Sequence, residues 1–207
     1  MNRREFRRLL ARRDADELRR EIPGFLDRES FVLAAEALER LSEIDTRDVA
    51  SLAALIWEKD ELGGSQGFLV KALRHDPSRE AQVLLVELTA DAASEVRFAA
   101  VRGSGQAADV RRLGEMINDP DSAVAARAAK ELRHSGDPGV VGILISHLGD
   151  SRPRVRRACA ASIASIGDPD GILPLETAVA QERLPWRWSM QAELRRLQAR
   201  VAEGGAD

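Results

Sequence analysis

Little in this chain stands where chemistry usually needs it. The histidines His75, His134 and His147 are scattered, and none has a second His, Cys or carboxylate at the spacing of a metal site. Structural or surface roles are expected for all three. His134 falls near a predicted helix C-terminus, where the dipole favours an imidazolium. Cys159 shares one helical face with Val155, Ser162, Ile163 and Ile166, so its thiol is expected to be buried and inert. Asp168 and Asp170 are close, but they suit the start of a helix as well as acid–base work. No phosphate-cradling glycine motif, nucleophile elbow or paired-histidine zinc motif occurs. What remains is arginine and tryptophan: Arg152, Arg154, Arg156 and Arg157, then Trp186-Arg187-Trp188. Such a set could track phosphates if it converged on one positive face. The sequence predicts no catalytic residue, no metal and no cofactor.

The elements that hold these residues come from a repeat. Ile117 to Leu148 is followed by a second copy, Leu148 to Val179. Asp119 and Asp150, Val124 and Val155, and Gly136 and Gly167 are each 31 residues apart. A fixed period of this size indicates a stacked array. A third unit starts at Asp91 and runs through Arg97 and Gly105. Its first helix is shorter, because Asp91 lies only 28 residues before Asp119. The second helices align as Val110, Leu113, Ile117; Val141, Leu144, Leu148; and Ile172, Leu175, Val179. That i, i+3, i+7 stripe is buried only when pairs stack. Gly105, Gly136 and Gly167 are expected to end the first helices in a left-handed cap. Asp-Pro then starts the second helices at 137 and 168.

Before the clear repeats, Arg3 to Arg20 reads as one helix carrying eight arginines, with Arg4, Arg8 and Arg12 on one face. Pro23-Gly24 is expected to break it. Helices follow over Phe31 to Leu41, capped by Asp27 or Ser30, and over Arg47 to Lys59, capped by Thr46, with Trp57 as core. Phe68 to Leu73 is a short helix, and Asp76-Pro77-Ser78 opens the next. After Pro185 a last helix bears Met190, Leu194, Leu197 and Val201 as an apolar stripe. Its two tryptophans point roughly 200° apart, so at most one packs fully.

The pattern Asp-x4-Val-Arg-x2-Ala, then Gly-Asp-Pro, then an apolar helix, resembles HEAT-like repeats, the short bacterial kind also found in bilin lyases. The resemblance covers Asp91 to Ala180. It implies a stacking ladder in which an Asp pairs with an Arg six residues on. Asp91 with Arg97 and Asp150 with Arg156 match; Asp119 departs, because Ala125 stands at the Arg position. It also implies an all-α fold, a right-handed α-solenoid of HEAT-like helical pairs with N- and C-terminal capping helices. The expected divisions are 1–22, a basic cap or arm; 23–90, divergent helical repeats; 91–181, three clear repeats; and 182–207, a capping helix and tail.

Composition agrees with a helical protein. Charged residues make up 31%, aromatics 4%, and tyrosine is absent, which argues against the tetrapyrrole pocket of a bilin lyase. The net charge of -3 disfavours nucleic acid, and with it the glycosylase-like array that Trp186, Trp188 and the arginines superficially suit. The single cysteine fits a reducing compartment. No apolar run approaches the roughly 20 residues that span a bilayer, and Met1-Asn2-Arg3-Arg4 leads into no secretory h-region. A cytoplasmic, non-catalytic scaffold that binds a protein partner is expected, without a membrane. Its contact residues are read from the outward positions of the second helices: Arg111, Arg112, Glu115, Ile143, His147 and Leu173.

Overall fold

The computed structural model describes residues 3–60, 64–91, 93–104 and 110–204, and every regular element among them is helical. The chain forms two compact units, residues 1–104 and 105–207.

The N-terminal unit contains α1 (Arg3–Leu10), α2 (Ala15–Leu26), α3 (Phe31–Ser42), α4 (Val49–Lys59), α5 (Gln66–Leu73), α6 (Arg79–Glu87) and α7 (Ser94–Ser104). Helices α3, α5 and α7 lie side by side; α4 packs on α3, α6 packs on α5, and α4 meets α6. The pairs close over Leu38, Leu41, Ile56, Leu69, Leu73 and Leu85, all fully buried. Each such side chain contributes about 1.5–3 kcal/mol by leaving water. Trp57 is half-buried against this core.

Four expectations change here, one being the cap of α3: Asp27 ends α2, and Ser30 makes no side-chain capping bond. The basic helix over Arg3 to Arg20 is two helices, because Asp14 caps α2 in a capping box with Glu17. That turn leaves Arg12 outside the α1 face that carries Arg4 and Arg8. Pro23-Gly24 does not break the chain; Pro23 sits inside α2, which runs on to Leu26. Thr46 caps nothing with its side chain. Its carbonyl accepts from Val49 N, and Asp48, at φ 64°, turns the backbone into α4. Helix α1 itself is docked by buried Phe6 and Leu10, with Phe6 edge-on to Phe25 at 5.6 Å.

The C-terminal unit contains α8 (Val110–Met116), α9 (Ser122–Leu132), α10 (Val140–Ser146), α11 (Pro153–Ile166), α12 (Ile172–Gln181) and α13 (Trp186–Gly204). Helices α9, α11 and α13 lie side by side; α8 packs on α9, α10 on α11, and α12 on α13. The last helix thus takes the place that a further first helix would occupy. The apolar face of α9 is mostly alanine: Ala125, Ala126, Ala128 and Ala129 are buried. Small side chains let α11 come close enough for Ser162 Oγ to donate to the Ala129 carbonyl at 2.8 Å, which satisfies a buried hydroxyl. The expected stripes face this core: Leu113, Ile117, Val141, Leu144, Leu148, Leu175 and Val179 are buried, and Val110 and Ile172 half-buried.

Gly167 is the left-handed cap of α11 at φ 83°. Gly136 is also left-handed, at φ 71°, but lies beyond α9, whose cap is Arg133. Gly105 falls outside the described residues. Asp168 caps a short 3-10 turn before α12, and Asp137 accepts from Gly139 N ahead of α10.

Candidate functional site

The loops are built on one device. An aspartate accepts the backbone N–H two residues on, at Asp45, Asp76, Asp91, Asp119, Asp137, Asp150 and Asp168. The side chain thereby holds the turn that aims the next helix. Asp45 and Asp76 are 31 residues apart, as are Asp137 and Asp168. The repeat was therefore legible before Asp91 in its loop aspartates, a signal that reading helix stripes missed.

The expected Asp–Arg ladder takes another form. Arg97 and Arg156 reach the main-chain carbonyls of Asp91 and Asp150, at 3.0 and 2.7 Å, not the carboxylates. The Asp150 carboxylate instead holds Arg152, at 2.9 Å from Nε and 2.7 Å from Nη2. Arg152 then donates to the carbonyls of Ile117, at 2.9 Å, and of Asp119. This joins the loop before α11 to the loop before α9. Arg156 makes a bidentate pair with Glu182, at 2.6 and 2.7 Å, tying α11 to the loop before α13. Hydrogen bonds from Arg152 and Arg156 hold the Asp150 and Glu182 carboxyls below the usual carboxylate range. At the Asp119 position the Arg is replaced by Ala125, which is wholly buried.

The residues read from the second helices divide by role. Arg111 and Arg112 both donate to Glu115, at 2.9 and 3.2 Å, so their charge is shared with a carboxylate. Ile143 is half-buried, and a Cβ placed on Gly114 would lie 3.6 Å from it. His147 faces Asn118 Oδ1 at 3.4 Å and the Ile143 carbonyl at 2.9 Å. Ile143 and His147 thus lie where α10 stacks beside α8. Leu173, on α12, is 71% exposed.

A second surface surrounds the start of α13. Arg183, Leu184, Pro185, Trp186, Arg187 and Trp188 are exposed in unbroken succession. Leu184 is 64% exposed, Trp186 39% and Trp188 72%. The expectation that at most one tryptophan packs fully allowed for one; neither does. The Arg157 guanidinium lies 4.8 Å over the Trp186 ring and donates to Ser189 Oγ at 3.2 Å. Arg154 is exposed one turn earlier on α11. The arginines grouped in the sequence do not act together. Arg152 is held by Asp150 and Arg196 by Glu193, while Arg154, Arg157 and Arg187 have no carboxylate within 4.0 Å among the described residues. Arg183 and Leu184 belong to this surface and were not singled out in the sequence. A linker of alternating arginine and large apolar residues was the available signal.

Cys159 is wholly buried, and desolvation pushes its thiol up to about 12, so the thiolate is suppressed. The His134 ring accepts from Arg133 Nε at 2.9 Å, on an exposed edge. No helix among the described residues is long and apolar enough to cross a membrane.

Residues 110–195 match the family of HEAT repeats. An engineered protein solved by crystallography as a structural genomics target superposes with a TM-score of 0.50 at 18% identity, over 97% of this chain and 98% of its own. That likeness concerns the fold. No curated protein matches the chain.

Proposed function

With residues 110–195 as HEAT repeats, we propose that this protein is a non-catalytic scaffold that binds another protein through its C-terminal unit. One observation carries the reading. The three most exposed large apolar side chains among the described residues, Leu173, Leu184 and Trp188, all fall on α12, α13 and the link between them. Grouped apolar exposure of this kind marks interaction surfaces, and tryptophan and arginine supply much of the energy where proteins meet. Leu173 belongs to the row of second helices, so that row and the α13 surface both offer contact. Arg111, Arg112 and Glu115 on α8 give the row of second helices a mixed charge, which suits a protein better than a polyanion. Two of the five arginines that could have tracked phosphates, Arg152 and Arg156, are held by carboxylates, which also favours a protein.

The test is affinity capture from a lysate of the source organism, split into nuclease-treated and untreated halves, with bound material identified by mass spectrometry. A stoichiometric protein retained after nuclease is expected. Recovery confined to the untreated half would replace the scaffold reading with a nucleic-acid-binding array.

A further inference from the structure

We propose that the exposed run from Arg183 to Trp188, with Arg154 and Arg157 of α11, docks an acidic protein segment that carries a large apolar side chain between carboxylates. The inference rests on the scaffold reading and names its partner's chemistry.

Three features converge. The first is apolar: Leu184 and Trp188 stand in water four residues apart, while every position between them is also exposed. A single exposed leucine is ordinary, but a six-residue run that includes two tryptophans is not. The second is charge. Helix α11 carries Arg154, Arg156 and Arg157 and no carboxylate, and neither α11 nor α13 has an acidic residue in its first turn. Arg156 is consumed by Glu182. Arg154, Arg157, Arg183 and Arg187 remain without a carboxylate within 4.0 Å among the described residues. The third is order. Stacking on Trp186 and the bond to Ser189 fix the Arg157 guanidinium before any partner arrives. A stacked guanidinium keeps in-plane N–H groups to offer a carboxylate, and a side chain already ordered loses less entropy on binding.

The charge around the surface selects the partner. Nucleic acid and anionic membranes present extended negative charge and draw on a broad positive field. Here the chain is net -3, and Arg196 beyond the patch is paired with Glu193. A short acidic segment needs only local complementarity, and the leucine and tryptophan give its apolar residue somewhere to go.

The experiment uses the full chain and a labelled synthetic peptide in which glutamates flank a central leucine and phenylalanine. Its lysine counterpart, a short oligothymidylate and phosphatidylserine vesicles serve as competing probes. Binding of the acidic peptide is expected, with the lysine peptide silent. Trp188→Ala and Arg187→Glu should each weaken it about tenfold, with the circular dichroism spectrum and melting temperature unchanged. Arg154→Glu, on the neighbouring helix, should weaken it as well. Unchanged affinity in these variants, tighter binding of oligothymidylate or vesicles, or a self-association that Trp188→Ala abolishes would each overturn the proposal. If the variants retain in full a nuclease-resistant partner captured by the wild type, this docking face falls and the scaffold reading stands. A wild-type chain that binds neither peptide nor any captured protein overturns both.

Discussion

The two compact units use their guanidinium groups differently. In the N-terminal unit most of the observed pairs are with carboxylates: Arg7 with Glu36, Arg13 with Glu17 and Glu21, Arg19 with Asp16, Asp45 and Asp48, and Arg40 with Glu43. Main-chain carbonyls accept in both units: in the N-terminal one Arg19 reaches Arg47 at 3.5 Å and Arg20 reaches Asp16 at 3.2 Å. Arg97 reaches the Asp91 carbonyl, Arg152 reaches the carbonyls of Ile117 and Asp119, and Arg156 those of Asp150 and Ser151. A carboxylate pair at the surface adds little, because water already solvates both ions. A guanidinium that bonds loop carbonyls satisfies acceptors at helix ends, where the helix itself supplies no donor. The C-terminal unit joins its repeats with Arg152 and Arg156, while Arg154 and Arg157 of α11 are exposed.

The change that breaks this comparison hardest is Ala125→Arg. It restores the arginine that the 31-residue period calls for, opposite Arg156. Ala125 is wholly buried, so the new side chain must displace core or bury a charge. A loss of about 3 kcal/mol or more is expected in chemical denaturation. An unchanged midpoint would mean that the loop before α9 can accept the tie after all. Next in size is the contrast between Arg152→Ala and Arg19→Ala. The first leaves two loop carbonyls without their donor and strips the Asp150 carboxylate of its guanidinium, leaving it only the backbone N–H of residue 152, for a loss of about 2–3 kcal/mol. The second removes pairs with Asp16 and Asp48, mostly exposed, a pair with the more shielded Asp45 and one long bond to the Arg47 carbonyl, for about 1–2 kcal/mol. Equal losses would erase the distinction between the units.

How much of this was legible depends on which residue carried the signal. Helical stripes such as Leu113 and Ile117 or Leu175 and Val179 were readable because burial on one face imposes a 3.6-residue period. The Gly167 cap was readable because a left-handed residue favours glycine, whereas Gly136, equally left-handed, turns the chain beyond the end of α9. The capping box at Asp14 was written in the sequence but hidden by the arginines around it, whose helix propensity argues for continuity. The internal Pro23 misled because its cost is local, while buried Ile22 and Leu26 hold α2 together. The α13 surface was half legible. The tryptophans drew notice, but whether a tryptophan is core or surface depends on the neighbouring helix, which local spacing does not report. The pairing of Arg156 with Glu182 spans 26 residues and follows from the stacking of α11 on α13, so no local pattern announces it.

The two left-handed glycines give a finer comparison inside the C-terminal unit. Gly136→Ala meets open space and carries only the left-handed penalty, about 1 kcal/mol. Gly167→Ala carries the same penalty and also places its Cβ 2.7 Å from Arg200, so about 2 kcal/mol is expected. Differential scanning calorimetry should rank them in that order; the reverse would show that the Gly136 turn is the more constrained. Acid sharpens the ties further. Asp150 and Glu182 have folded pKa values below their unfolded ones, so their stabilisation is complete above the unfolded values of about 4. It is lost as pH falls through the lower folded values. Between about pH 5 and pH 2 the wild type should lose stability faster than Arg156→Ala, which lacks the tie to Glu182. Parallel acid limbs would detach these carboxylates from the stability of the unit.

The smallest expected effect has the opposite sign. Gly114 lies inside α8, where glycine weakens a helix by about 0.5–1 kcal/mol relative to alanine. A Cβ there would meet Ile143 of α10 at 3.6 and 3.7 Å, an ordinary contact. Nothing in this spacing requires the glycine, unlike the alanines of α9, which lie against α11. Gly114→Ala should therefore raise the melting temperature by the propensity gain, and a thermal melt suffices to see it. A fall would place the close approach between successive second helices as well as first helices. The tight seam of the C-terminal unit would then run through Ile143 and His147, and the row of second helices would be packing surface more than contact surface.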